Sequence, residues 1–168
     1  MTPQRRHRVV LAQCATLVLV SMLLGRAATG AEQLDLRPYR GRVVVVDFWA
    51  SWCGPCRQSF PWLNEMQARY AERGLTVIGV NVDAKRADAE RFLRRVPAKF
   101  SLFYDPDGAI AQQYKLEGMP ASYVYGPDGT LLSTHIGFTD AQREQREAEL
   151  VDALGRRPVG LHTREEER

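Results

Sequence analysis

Two cysteines separated by two residues, Cys53 and Cys56, close the run Asp47-Phe48-Trp49-Ala50-Ser51-Trp52-Cys53-Gly54-Pro55-Cys56. A dithiol at this spacing suits reversible disulfide exchange, half of a zinc site, or a structural cross-link. Zinc takes four ligands as a rule. Cys14, His7, His135 and His162 are scattered without ligand spacing, so no metal site is expected, and His135 reads as an ordinary strand residue. A structural bridge over so short a loop would remove little chain entropy. The flanking Trp52, Gly54 and Pro55 suit a presented, attackable pair better, and disulfide exchange needs no cofactor.

The surrounding elements explain how the pair is placed. Val43-Val44-Val45-Val46 is β-branched and apolar without alternation, as expected of a central parallel strand covered on both faces. Gly54 and Pro55 suit a first helical turn, which puts Cys53 at a helix N-terminus, where free N–H groups and the macrodipole favour a thiolate. Cys53 is therefore the expected attacking sulfur, and Cys56, deeper in the helix, the resolving one. Asp47 sits at the end of the apolar run, where desolvation should raise its pKa. Trp52 is expected to be half-exposed, and Phe48 and Trp49 to pack in the core.

The stretch Val46 to Cys56 resembles the active site of thioredoxins, and later features narrow this to the exported branch called TlpA-like or ResA-like, over residues 34 to 155. The resemblance implies an α/β thioredoxin fold, a central mixed sheet flanked by helices, with an extra helix-strand insert. It implies a redox-active Cys53–Cys56 disulfide. It also implies Asp47, six residues before Cys53, as general base towards Cys56. Pro120, in Gly118-Met119-Pro120, matches the loop proline that the family holds in cis opposite the cysteines, and Met119 would contact a client strand. Gly54, Pro55 and Trp52 complete the implied active-site loop. One departure stands out: many ResA-like proteins carry a glutamate three residues after the second cysteine, where this chain has Ser59.

Around this centre the chain reads as one domain. Leu34 to Gly41 is expected to form a short strand and turn. After Cys56, apolar Phe60, Leu63, Met66 and Tyr70 recur at helical spacing; Pro61 should kink that helix and Gly74 follows its last turn. Leu75 to Val82 reads as a second buried parallel strand. Ala89, Phe92, Leu93 and Val96 predict an amphipathic helix ended by Pro97, followed by a strand at Ser101–Tyr104 and a short helix from Ala109 to Leu116. Strands at Ala121–Tyr125 and Leu131–Ile136 flank a Gly126-Pro-Asp-Gly-Thr130 turn. A helix from Asp140 to Leu154 follows, with Thr139 and Gln142 as a capping box and Gly155 as its stop.

The N-terminus has Arg5, Arg6, His7 and Arg8, then 16 mostly apolar residues from Val9 to Leu24, then small residues around Ala27 to Ala31. Residues 1–31 thus read as a signal peptide, with cleavage expected near Gly30 or Ala31, or as an uncleaved membrane anchor. Residues 32–155 are expected to form the thioredoxin-like domain and 156–168 a loose tail. The formal charge of the whole chain is +3, but without the four leader arginines 19 basic side chains face 20 acidic ones, a net charge of −1. A nucleic-acid partner would need a basic stripe that this balance does not supply.

The resulting expectation is a monomeric periplasmic thiol:disulfide oxidoreductase that reduces client disulfides, with cytochrome c or oxidase maturation among the roles the resemblance implies, and recharged by a membrane electron donor of DsbD or CcdA type. The alternatives are an oxidase or isomerase, distinguished by reduction potential, and a copper-binding chaperone using the same cysteines, against which the absence of a third ligand counts. No peroxidatic cysteine motif is visible.

Overall fold

The computed structural model describes residues 34–156. The expected leader, and the tail beyond Arg156, lie outside the described residues. β1 (Val43–Trp49) is buried along its whole length. It pairs in parallel with β2 (Leu75–Asn81), Asp47 opposite Gly79, and antiparallel with β4 (Ala121–Tyr125), Asp47 opposite Ser122. β3 (Ser101–Tyr104) adds in parallel to β2, and β5 (Leu131–Ile136) antiparallel to β4. The strand order β3-β2-β1-β4-β5 makes β1 the middle of a mixed five-stranded sheet.

Burial on both faces requires helices on both, and four occur among the described residues: α1 (Cys56–Tyr70), α2 (Arg86–Leu93), α3 (Ala109–Gln113) and α4 (Arg143–Gly155). Val43 and Val45 pack with Trp62, Leu63 and Met66 of α1 and Leu150 of α4. Val44, Val46 and Phe48 face the other way, towards Ile110 of α3 and Tyr123. By the alternation of a strand, Asp47 shares the α1–α4 face with Val45 and Trp49. Trp49 continues that face into an aromatic cluster, its ring 4.9 Å from Phe60 and 5.0 Å from Phe92, and both cysteines belong to this cluster.

The mixed sheet, the parallel pairing of β1 with β2 and the β4–β5 hairpin are those expected. Several ends differ. The lead-in holds no strand; Arg37–Tyr39 is a 3₁₀ turn with Pro38 in its first positions, set by Asp35, whose carboxylate accepts the Arg37 N–H at 3.0 Å. α2 stops at Leu93, four residues before Pro97, and Val96 packs against the core from the turn beyond. That placement respects the bar against helical backbone before proline. α3 ends at Gln113, short of Leu116, because Lys115 takes a left-handed backbone, φ 49°. Asp140–Gln142 is a 3₁₀ turn in which Gln142 Oε1 accepts the Thr139 N–H at 3.2 Å, α4 begins only at Arg143, and Gly155 is its last residue. α1 runs through Pro61 as one helix. No helix among the described residues is long and apolar enough to cross a membrane.

Candidate active site

Cys53 lies just past the C-terminal end of β1, where the chain turns into α1. Its N–H donates to Ala50 O at 3.1 Å, closing the turn. The loop before it is clamped from the end of β2 and the turn beyond: Asp83, 5 % exposed, accepts the Ser51 N–H at 2.9 Å and the Ser51 hydroxyl at 2.8 Å, and Asn81 Nδ2 braces the same carboxylate at 2.7 Å. Sequence reasoning passed over Asn81 and Asp83; the polar pair closing an otherwise apolar β2 run was the available signal.

Cys53 is not itself helical, because α1 opens at Cys56. The electrostatic benefit survives by another route. The Cys56 N–H, one of the helix's free first-turn donors, points at Cys53 Sγ at 3.3 Å. The two sulfurs form a disulfide, 2.06 Å long. Cys53 is 4 % exposed and Cys56 fully buried, so an incoming sulfur can reach only the first.

Beside Cys53 runs a groove of about 460 Å³ lined by Trp52, Gly54 and Pro55 on one side and Leu116 to Met119 on the other. Trp52 is 70 % exposed, well beyond the half expected, and forms the groove's apolar rim. The Met119–Pro120 peptide is cis. Pro120 O accepts the Gly137 N–H at 2.7 Å, which ties this loop to the end of β5. Met119 is partly buried between the cysteine cluster and the α3 side of the core. The sequence-predicted loop residues are thus brought together around one sulfur.

Asp47, in β1, is fully buried. Its Oδ1 accepts the Ser122 hydroxyl at 2.6 Å, and its Oδ2 has no hydrogen-bond partner among the described residues. Burial pushes its pKa up to about 7, with the Ser122 hydrogen bond and the positive charge of Arg146 holding it back. Arg146 is itself 5 % exposed; its guanidinium donates to Gly137 O at 2.8 Å and Gln142 Oε1 at 3.1 Å, and burial lowers its pKa while the Asp47 and Glu149 charges oppose that shift. Neither Ser122 nor Arg146 could be picked from sequence, since both owe their role to strand register and helix docking. Ser59, at the family's glutamate position, is buried and donates to Cys56 O at 3.2 Å, so no carboxylate stands there.

A barely exposed sulfur just past the C-terminal end of the central strand, bonded to a fully buried one at the start of the next helix, on this sheet, defines a thiol:disulfide oxidoreductase of the thioredoxin fold. The chain belongs to the AhpC/TSA family, which it matches over residues 22–134. It is 48 % identical to a crystal structure described as a thiol:disulfide interchange protein DsbE from Chlorobium tepidum, with a TM-score of 0.70 over 73 % of this chain and 86 % of that one. It is 28 % identical to the thiol-disulfide oxidoreductase ResA of Bacillus thuringiensis over 69 % of this chain, an alignment spanning 66 % of that protein, just short of two thirds. StoA from Bacillus subtilis, 21 % identical with a TM-score of 0.56 over 65 % of this chain and 84 % of that one, shares the fold.

Proposed function

We propose that this protein is a periplasmic reductant of client disulfides, acting through Cys53 as nucleophile and Cys56 as resolving thiol with Asp47 as general base. The observation that carries the reading is the asymmetry of the pair: Cys53 Sγ faces the groove and receives a helix N–H, while Cys56 is sealed in the core. In the reduced state the Cys53 thiolate attacks one client sulfur, forming a mixed disulfide and releasing one client thiolate. Cys56 then gives its proton to Asp47 and attacks Cys53 Sγ, expelling the second client thiolate. The client gains two electrons and the protein is left with the Cys53–Cys56 disulfide. A carboxyl whose pKa lies near 7 suits this exchange, because a base works best when its pKa is close to the working pH.

Met119 and the cis-Pro120 loop form the far wall of the groove, placed to hold an extended client strand. Residues 1–31 would direct the domain out of the cytoplasm as a signal peptide or anchor, and residues 32–155 would act there as a monomer. In that oxidising compartment a membrane electron donor of DsbD or CcdA type would restore the dithiol. Clients of this chemistry include the haem-site cysteines of apocytochrome c and the copper-site proteins of oxidase assembly.

The test is the redox equilibrium of the purified protein against glutathione or dithiothreitol, with free thiols trapped and counted. A potential near or below about −250 mV supports the reductant, and one near about −150 mV moves the protein to the oxidase or isomerase class.

A further inference from the structure

Asp47 takes up a proton at each resolving step and is fully buried, so that proton needs a way out. Asp47 stands opposite Ser122 in the β1–β4 register, and Ser122 opposite His135 in the β4–β5 register. Directly opposed residues of paired strands place their side chains on the same face. The three therefore form one row across the sheet, on the face that α4 covers. Ser122 Oγ and Asp47 Oδ1 are 2.6 Å apart at the inner end. At the outer end His135 Nε2 and Glu149 Oε2 of α4 are 2.8 Å apart, with side-chain exposures of 19 % and 34 %, so the row reaches solvent.

Between the two ends is a small cavity of about 10 Å³ lined by Ser122, His135 and Arg146 together with Val45, Trp62, Val124 and Leu150. That volume is about one water sphere. Arg146, whose buried Nε has no partner among the described residues, is one of the lining residues. A hydroxyl is both donor and acceptor, so Ser122 can receive a proton on one side while passing its own to the other.

We propose that the proton accepted by Asp47 leaves through Ser122 and His135 to Glu149 and solvent, which makes Ser122 and His135 proton-relay residues of the exchange reaction. The inference rests on Asp47 acting as base towards Cys56. In the relay, the Asp47 carboxylic acid gives its proton to Ser122 Oγ. The hydroxyl proton of Ser122 passes to His135, directly or through a water in the cavity, and from there to Glu149 and bulk water. Asp47 returns to the carboxylate and no electrons move. The other groups that face Asp47 take no part: Arg146 of α4 is a fixed cation, and β2 presents only Gly79 opposite it. His135 thus gains a role that its place on an edge strand gave no reason to expect.

The experiment follows the resolving step alone, by rapid mixing of the reduced protein with a small aromatic disulfide at pH 7 in H2O and D2O. His135→Leu and Ser122→Ala should slow resolution roughly tenfold, with a larger slowing in D2O than the wild type shows. Mixed-disulfide formation should be unchanged in both variants and the reduction potential unchanged in His135→Leu, and Ser122→Thr, which keeps the hydroxyl, should restore the rate. A purely structural role would shift the potential or the stability without the solvent-isotope change. Asp47→Asn separates the two readings. If it slows resolution while His135→Leu and Ser122→Ala match the wild type in rate and isotope effect, the relay is overturned and the base stands. If Asp47→Asn leaves resolution untouched, the base reading falls and the relay with it.

Discussion

Replacing Asp47 by Asn should stabilise the oxidised protein, and should do so only above mildly acidic pH. The wild-type carboxyl has an ordinary value of 3.8 when the chain is unfolded and about 7 when folded. Between those two pH values the folded state keeps the proton that the unfolded state has lost, so unfolding releases it and stability falls as pH rises. The loss is absent below pH 3.8 and complete above about 7. At about 1.36 kcal/mol per pH unit, the gap of roughly 3.2 amounts to about 4 kcal/mol. An asparagine still offers a carbonyl oxygen to the Ser122 hydroxyl and cannot ionise, so it escapes this cost. Urea unfolding of the oxidised wild type and variant from pH 4 to pH 9 measures the difference, in which the other titrating groups cancel. The variant should match the wild type near pH 4 and exceed it by about 4 kcal/mol at pH 8. A difference that is flat across that range would show that Asp47 ionises as an ordinary carboxylate, and would remove the ground for its role as a base tuned to neutral pH.

Three further outcomes are expected. Gly79→Ala, whose Cβ would come within 2.9 Å of Leu102 and Phe100 and 3.2 Å of Trp49 Nε1, should cost about 1–2 kcal/mol in urea unfolding through overpacking; an unchanged midpoint would mean that the aromatic cluster yields freely. Asp83→Ala releases the Ser51 loop and strands buried Asn81, so it should lower stability by about 3 kcal/mol and slow attack by Cys53 on a small disulfide; normal kinetics would show that the clamp does not position the nucleophile. Trp52→Ala removes a side chain that is 70 % exposed, so stability should move by no more than about 0.5 kcal/mol. KM for a protein client should nevertheless rise while turnover of a small disulfide holds, and equal KM values would take Trp52 out of the client surface.

Much of this protein can be read along the chain. The β-branched run of β1, the period of α1 and the Cys53-Gly-Pro-Cys56 handover are local patterns whose outcome depends on neighbours a few residues away, and the strands they predict are those observed. The Gly126-Pro-Asp-Gly-Thr130 turn marks the chain reversal between β4 and β5 for the same reason. Element ends were less legible, because the left-handed Lys115 and the early stop of α2 at Leu93 follow from how those segments meet the core.

The site divides in the same way. The identities of Cys53, Cys56, Asp47, Met119 and Pro120 were visible as spacing and resemblance, because sulfur chemistry announces itself in the residue types. Their relations were not. That Ser122 faces Asp47 across β1 and β4, that Gly79 presents no side chain to it from β2, and that Arg146 reaches the same face from a helix 99 positions later are matters of register and docking. Residues as distant in sequence as these meet only when the sheet closes, and desolvation, which shifts Asp47's proton affinity, belongs to the closed core and to no segment of the chain.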